Sequence, residues 1–344
     1  MDKSVRVVIT SPLERSFVDQ IAATDARLDV VYEQDLLPRP RYPADHALPV
    51  IEDEAQRARW ETLLDGAEVL FDFGPRDLAP RLIARPCLRW IQATSAGVGQ
   101  FAARLGLNDS SIVVTTASGV HARPLAEFVL MAMLMFRKGA FRLVSDQRRH
   151  HWERYAGKEI AGTVVGIVGV GQIGREAARV VRALDARPIG VVRTLDGRDA
   201  AGLGLDAVLP VERLDEVLPA VDVLVLCTPH TPDTENLLNA RRLALLKPGA
   251  LVINVARGQV VDEQALIAAL ASGHLGGAAL DVFADEPLPP DSPLWDFDNV
   301  LISPHSASTA DSENGKITTL FRENLRAYLD HQPLRNVLDK DLLY

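Results

Sequence analysis

Short apolar runs alternate with longer amphipathic ones from the start of the chain. Strand-like runs occur at Val5–Thr10, Leu28–Tyr32, Val69–Phe73, Arg89–Ala93 and Ile112–Thr115. A helical pattern fills Ile51–Leu64, and Gly74-Pro75 marks a turn. A second series runs through Val164–Val168, Pro188–Val192, Val221–Leu226, Leu251–Val255, Gly277–Asp281 and Val300–Ile302. Several of these are apolar throughout, as strands covered on both faces must be. Strand and helix in alternation predict parallel α/β sheets. The two series predict two such domains. Between them, Pro124–Lys138 reads as a helix with Leu125, Phe128, Val129, Ala132, Met133 and Phe136 on one stripe, fit for a core or a subunit interface. A last helix near Glu313–Asp330 carries Ile317, Leu320, Phe321, Leu325, Tyr328 and Leu329 on one face. It is expected to dock on a domain.

The second series opens on a glycine motif. In Thr163-Val-Val-Gly-Ile-Val-Gly-Val-Gly-Gln-Ile-Gly174 a strand enters glycines at 169, 171 and 174, and a helix pattern leaves them. G-x-G-x-x-G alone is a weak signal, but strand, turn and helix in this order give it meaning. Gly169 suits the tight turn, Gly171 lets backbone approach a pyrophosphate, and Gly174 lets helix pack on strand. The helix start offers free N–H groups and the positive end of its dipole to an anion. A dinucleotide is therefore expected here, with Gln172 and Ile173 in the first turn beside it.

Composition narrows the class. The 344 residues suffice for two domains, and 47% hydrophobic with 24% charged residues describe a soluble globular chain. The longest apolar run, Phe128 to Phe136, is too short to span a bilayer. Met1 to Thr10 lead almost directly into a strand, so no secretory signal is visible. Two cysteines, Cys87 and Cys227, make no disulfide framework. A cytoplasmic protein is expected. Net charge is −9 with no block of Lys and Arg, which argues against nucleic acid as a partner. The one dense basic cluster, Arg148-Arg149-His150-His151, reads as a solvated helix end. Cys227 reads as a packed thiol. No His/Cys cluster has metal-ligand spacing, and no metal is expected.

Three ionisable residues follow the glycine motif. Arg257 comes after the strand ending at Val255, Glu286 lies in Leu280-Asp-Val-Phe-Ala-Asp-Glu-Pro287, and His305 closes Asn299-Val-Leu-Ile-Ser-Pro-His305. Each stands just past the carboxyl end of an expected strand, where open α/β sheets take their ligands. Singly, they read equally well as a loop arginine, an acidic turn and a satisfied histidine. Together and in this order they point to a catalytic set.

With these residues in view, the chain resembles the D-isomer-specific 2-hydroxyacid dehydrogenases, which reduce 2-oxo acids with a nicotinamide cofactor. The resemblance runs from Trp90 onward and is strongest from Gly162 to His305. Its specific segments are Leu246-Lys-Pro-Gly-Ala-Leu-Val-Ile-Asn-Val-Ala-Arg-Gly258, Ala279-Leu-Asp-Val-Phe283 with Glu286-Pro287, and Ser303-Pro-His305. Gly119-Val120 with Ala126-Glu127 look like the hinge and the start of the connecting helix. The resemblance implies two Rossmann-like doubly wound domains with the active site in the cleft between them. A flavodoxin-like substrate domain would span 1–118 and be completed by 310–344, and the cofactor domain would span 119–309. It implies that Arg257 holds the substrate carboxylate and polarises the keto oxygen, that His305 is the general acid or base, and that Glu286 orients His305 and favours its protonated form. Ser95, Ala96 and Gly97 would take the other end of the carboxylate. Asp281 would meet the nicotinamide carboxamide, and Thr228, Pro229, Val255 and Ala256 would complete the cofactor site.

The chain departs from the family pattern twice. Ser306-Ala-Ser-Thr309 stands where the family usually carries glycine, so Ala307 brings a Cβ into that segment. About 20 residues past the glycines, where an NAD enzyme holds the ribose with an acid, the chain has Arg193 and Thr194; the nearest acid is Asp196. Arginine accommodates a 2′-phosphate, so NADP(H) is expected over NAD(H). A homodimer is expected through the Pro124–Lys138 helix and the arm that runs on to Trp152. The reaction expected is reduction of a small 2-oxo acid of glyoxylate or hydroxypyruvate type to the D-2-hydroxy acid. A non-catalytic dinucleotide sensor and a phosphite dehydrogenase of the same fold are the alternatives. A sensor has no need of the Arg257, Glu286 and His305 set. Formate enzymes of the family carry glutamine in the role of Glu286. Phe71, Phe73, Trp295 and Tyr155 are candidate walls for the substrate side chain, and sequence does not rank them.

Changing Arg193 to Asp is expected to weaken NADPH binding far more than NADH binding. Equal losses in fluorescence titrations with the two cofactors would remove Arg193 from the 2′-phosphate.

Overall fold

Burial of both sheet faces dictates the layout, because strands such as Val69-Leu-Phe71 and Val223-Leu-Val-Leu226 have no residue to offer water. The structure is a computed structural model that describes residues 4–343. Its contacts separate two units. One runs up to His121 and resumes at Thr309, and the other extends from Ala122 to Ser308.

In the first unit β1 (Val5–Ile9), β2 (Leu28–Val31), β3 (Val69–Phe71), β4 (Trp90–Gln92) and β5 (Val113–Thr115) form one parallel sheet in the order β2-β1-β3-β4-β5. Helices Arg15–Ala22, Glu54–Gly66 and Gly99–Arg104 link the strands. The second of these begins where the Asp53 side chain accepts the N–H of Gln56, rather than at Ile51. The C-terminal helix Glu313–Leu329 completes this unit. Its apolar face drives Phe321 into the core, 5.2 Å from both the Phe71 and Trp90 rings, while Tyr328 stacks on Trp90. Buried Asn324 fastens it further, donating to Gln92 Oε1 and accepting from Arg335 N.

In the second unit β6 (Val164–Val168), β7 (Arg187–Val192), β8 (Ala207–Pro210), β9 (Val223–Leu226), β10 (Ala250–Asn254), β11 (Leu275–Leu280) and β12 (Val300–Ile302) are again all parallel. Their order is β12-β11-β10-β9-β6-β7-β8. The chain thus lays β7 and β8 to one side of β6 and returns to build the other side from β9. The switch point of this doubly wound sheet falls between β6 and β9. β8 escapes the hydrophobic pattern: it is a short edge strand of half-buried residues that ends in Pro210.

The helix Ala122–Lys138 packs on the helix Gln172–Arg182, with Ala126, Val129, Ala132 and Met133 sharing one core with Ala177, Ala178 and Val181. Small side chains on both helices let them approach closely. The stripe read from sequence is therefore internal to this unit and is not free for a partner. A different set stays exposed: Met131 and Leu134 on this helix, Leu143 and Val144 on Ala140–Arg148, and Trp152 beyond it. Among the described residues no helix is long and apolar enough to cross a membrane.

Candidate active site

The glycine turn is set by contact. At Gly169, with φ +93°, an added Cβ would lie 2.8 Å from the backbone nitrogen of Thr228; at Gly174 it would lie 2.2 Å from the carbonyl oxygen of Gly169. No side chain fits at either position. Gly171 differs: it caps the helix Gln172–Arg182, and a Cβ there would meet nothing within 4 Å. Open space over a helix N-terminus, at the switch point of the sheet, fits a pyrophosphate. Gln172 is exposed and Ile173 half-buried in the first turn. Thr228 and Pro229 follow β9, and buried Val255 and Ala256 follow β10. Arg193 and Thr194 are exposed past the end of β7. The Thr194 hydroxyl donates to the Asp196 carboxylate, whose backbone is left-handed at φ +41°. Burial pushes the Cys227 thiol up to about 12, as befits packing and not chemistry.

The three chemical residues share the carboxyl edge of this same sheet. Arg257 follows β10 and is half-buried, with Nη1 donating to its neighbour's carbonyl, Ala256 O, at 2.7 Å. The Asn254 side chain shapes this turn by accepting Ala256 N–H and donating to Arg257 O. Burial works against the guanidinium charge of Arg257, and the carboxylates of Glu286 and Asp281 favour it. Glu286 Oε1 accepts the N–H of Phe283 at 3.1 Å, and Oε2 lies 2.7 Å from Nδ1 of His305. His305 itself has φ +53°.

Asp281 holds that histidine's turn. It is only 2% exposed, and its Oδ1 accepts the Ser303 hydroxyl at 2.6 Å and the N–H groups of Ser306 and Ala307, each at 2.9 Å. Its carbonyl oxygen accepts the N–H of His305. Burial raises the Asp281 carboxyl above the usual range, and the Ser303 and backbone bonds oppose that shift. Sequence reasoning did not anticipate this brace. Ala307 contributes only its N–H to it, and its Cβ packs among apolar neighbours, so the departure from glycine is accommodated.

Of the four candidate walls, only Trp295 adjoins His305. A cavity of about 430 Å³ beside Glu286 and His305 is lined by Phe283, Pro287, Leu288, Trp295, Ile302 and Pro304. Phe71 and Phe73, 0% and 3% exposed, are core residues of the first unit, which removes them as walls. Tyr155 donates to Lys138 O and carries Arg142 over its ring, at the side of the helix Ala122–Lys138. Ser95, Ala96 and Gly97 form the loop between β4 and Gly99–Arg104 in the first unit. Ser95 and Gly97 are exposed there, and Ser95 O accepts Ala117 N–H. Among the described residues no group of His, Cys, Asp and Glu is placed to hold a metal.

Residues 130–307 match the family described as D-isomer specific 2-hydroxyacid dehydrogenase, NAD binding domain. The chain belongs to this family. Members are NAD(P)-dependent oxidoreductases, and this chain is an enzyme of that kind. It is 36% identical over 223 residues to an (S)-sulfolactate dehydrogenase of Chromohalobacter salexigens, covering 64% of this chain and 71% of that protein. A glyoxylate reductase of Thermofilum pendens is 33% identical over 67% of this chain and 69% of its own length. Of the D-3-phosphoglycerate dehydrogenases it also matches, the chain spans less than half. A solved D-isomer specific 2-hydroxyacid dehydrogenase of Xanthobacter autotrophicus Py2, in complex with NADPH and MES, superposes with a TM-score of 0.79 at 31% identity, over 99% of this chain and 100% of that one.

Gly171 and Gly174 separate folding from cofactor binding. Gly171→Ala is expected to leave Tm unchanged and to weaken NADPH binding at least tenfold, about 1.4 kcal/mol. Gly174→Ala is expected to lower Tm as well. Thermal melts and fluorescence titration of both variants check this; unaltered NADPH binding in Gly171→Ala would move the pyrophosphate elsewhere.

Proposed function

We propose that the chain reduces a small 2-oxo acid, of glyoxylate or hydroxypyruvate type, to the D-2-hydroxy acid with NADPH. The observation that carries this is the 2.7 Å pair of His305 Nδ1 and Glu286 Oε2 on the sheet edge that also bears Arg257. A carboxylate on Nδ1 fixes the ring so that Nε2 is the working nitrogen. In reduction, protonated His305 gives its Nε2 proton to the carbonyl oxygen; in oxidation the neutral ring takes it back. The planar fork of Arg257 pairs with the substrate carboxylate and draws electron density toward the keto oxygen. The backbone of Ser95, Ala96 and Gly97 takes the other end of that carboxylate. Bound nicotinamide supplies the hydride. Asp281 keeps Oδ2 for the nicotinamide carboxamide, since its three side-chain bonds fall on Oδ1. Arg193 at the end of β7 supports the 2′-phosphate and hence NADP(H).

The protein works as a homodimer joined through its second unit. Support comes from Met131, Leu134, Leu143, Val144 and Trp152, an exposed apolar set that suits an interface better than water. The cysteines, both free, accord with a cytoplasmic setting.

His305→Ala is expected to lower kcat/KM for glyoxylate by about 10²–10⁴, the usual worth of a positioned acid. Near-full activity of His305→Ala, measured by NADPH absorbance, would end this assignment. Light scattering at micromolar concentration is expected to give twice the chain mass of 37.5 kDa, and Trp152→Glu is expected to reduce it to one. A monomeric parent protein would refute the dimer.

A further inference from the structure

Ser11, Asp72 and Thr94 come just past the carboxyl ends of β1, β3 and β4, three neighbouring strands of the first unit. The chain order reverses between β1 and β3, the position where doubly wound sheets take ligands. Asp72 is 5% exposed and has a left-handed backbone at φ +73°. Residues other than glycine adopt that region rarely, and such outliers gather at functional sites. Its Oδ1 accepts the N–H of Phe73 at 3.0 Å and its Oδ2 the hydroxyl of Thr94 at 3.1 Å. Beside it the Ser11 hydroxyl lies 2.7 Å from Nδ1 of His46. Burial raises the Asp72 carboxyl, against the pull of His46 and these bonds. An apolar residue would be cheaper to bury at this position. None of these groups has a part in the proton and hydride chemistry of Arg257, Glu286 and His305.

Asp72 holds Thr94, and the next three residues are Ser95, Ala96 and Gly97. On the far side the loop is tied by Ala117 N–H to Ser95 O at 3.1 Å. A loop whose N–H groups are fixed beforehand binds an anion without first being ordered. We propose that Asp72 is a positioning residue: through Thr94 it fixes the Ser95–Gly97 loop and so sets how tightly the carboxylate of a 2-oxo acid is held. This rests on the role given to that loop under the proposed function.

Three variants test it. Thr94→Val deletes one hydroxyl and keeps the shape. Asp72→Gly deletes the carboxylate in a residue that tolerates φ +73°. Asp72→Asn keeps an oxygen for Phe73 N–H and an amide for the Thr94 hydroxyl. KM for glyoxylate is expected to rise about tenfold in the first two, as for loss of a hydrogen bond to a charged group. Their kcat and NADPH affinity should change little, which marks lost ground-state binding. Asp72→Asn should return KM toward the parent value. Unchanged KM in both Thr94→Val and Asp72→Gly overturns the proposal, as does a fall in kcat that matches the fall in kcat/KM. If Asp72→Gly does not fold, Thr94→Val alone decides. If the parent enzyme turned over no 2-oxo acid, the proposed activity would fall separately. Calorimetric titration of the NADPH-loaded protein with oxamate would then read the loop: a tenfold weaker Kd in Thr94→Val supports the role of Asp72, and an unchanged Kd overturns it.

Discussion

The turn that presents His305 hangs on one buried carboxylate. Asp281 lies at the end of β11, where water is excluded, and its Oδ1 gathers three donors from the segment after β12. A buried carboxylate is expensive unless its lone pairs are used, and here the bonds bridge two adjacent strands. They hold a histidine in a left-handed conformation that it would not keep in a free loop. The Glu286–His305 pair inherits its geometry from this brace. Without it, a 2.7 Å contact between two partly exposed side chains would be one arrangement among many.

The parts of this site that were legible in the sequence are those written in short stretches. The glycine turn could be read because strand, turn and helix are contiguous, and because contacts at Gly169 and Gly174 forbid any Cβ. Arg257, Glu286 and His305 could be read because each follows its own apolar run. The Asp72 cluster was not legible: Ser11, His46, Asp72 and Thr94 come from four separated segments, and only the sheet brings them together. Sequence could not separate Phe71 and Phe73 from true pocket walls for a related reason. Alternation along a strand says which faces are apolar, and it does not say that the C-terminal helix will cover one of them with Phe321. The stripe on Ala122–Lys138 is legible as apolar, but its partner, the helix Gln172–Arg182, lies about forty residues on and leaves no mark in the stripe itself.

The acidic balance of the chain bears on how it meets its ligands. A net charge of −9 repels both a dinucleotide and an oxo acid at a distance. Any attraction must therefore be local, and the helix N-terminus at Gly171 and the cationic side chains of Arg193 and Arg257 stand at the carboxyl edge of the second sheet. The architecture is shared by many enzymes of differing specificity. In this chain Trp295, Phe283 and Ile302 line the space beside Glu286 and His305.

The return of the C-terminal helix to the first unit has a consequence for the order of assembly. Ala122–Ser308 is one unbroken stretch of chain, so all of its strands are synthesised before the helix Glu313–Leu329. The first unit, although synthesised first, lacks Phe321, Asn324 and Leu325 from its interior until then. Domains close as units once their sequence is available. The first sheet therefore cannot bury its Phe71 and Trp90 faces against Phe321 until the helix Glu313–Leu329 has been made.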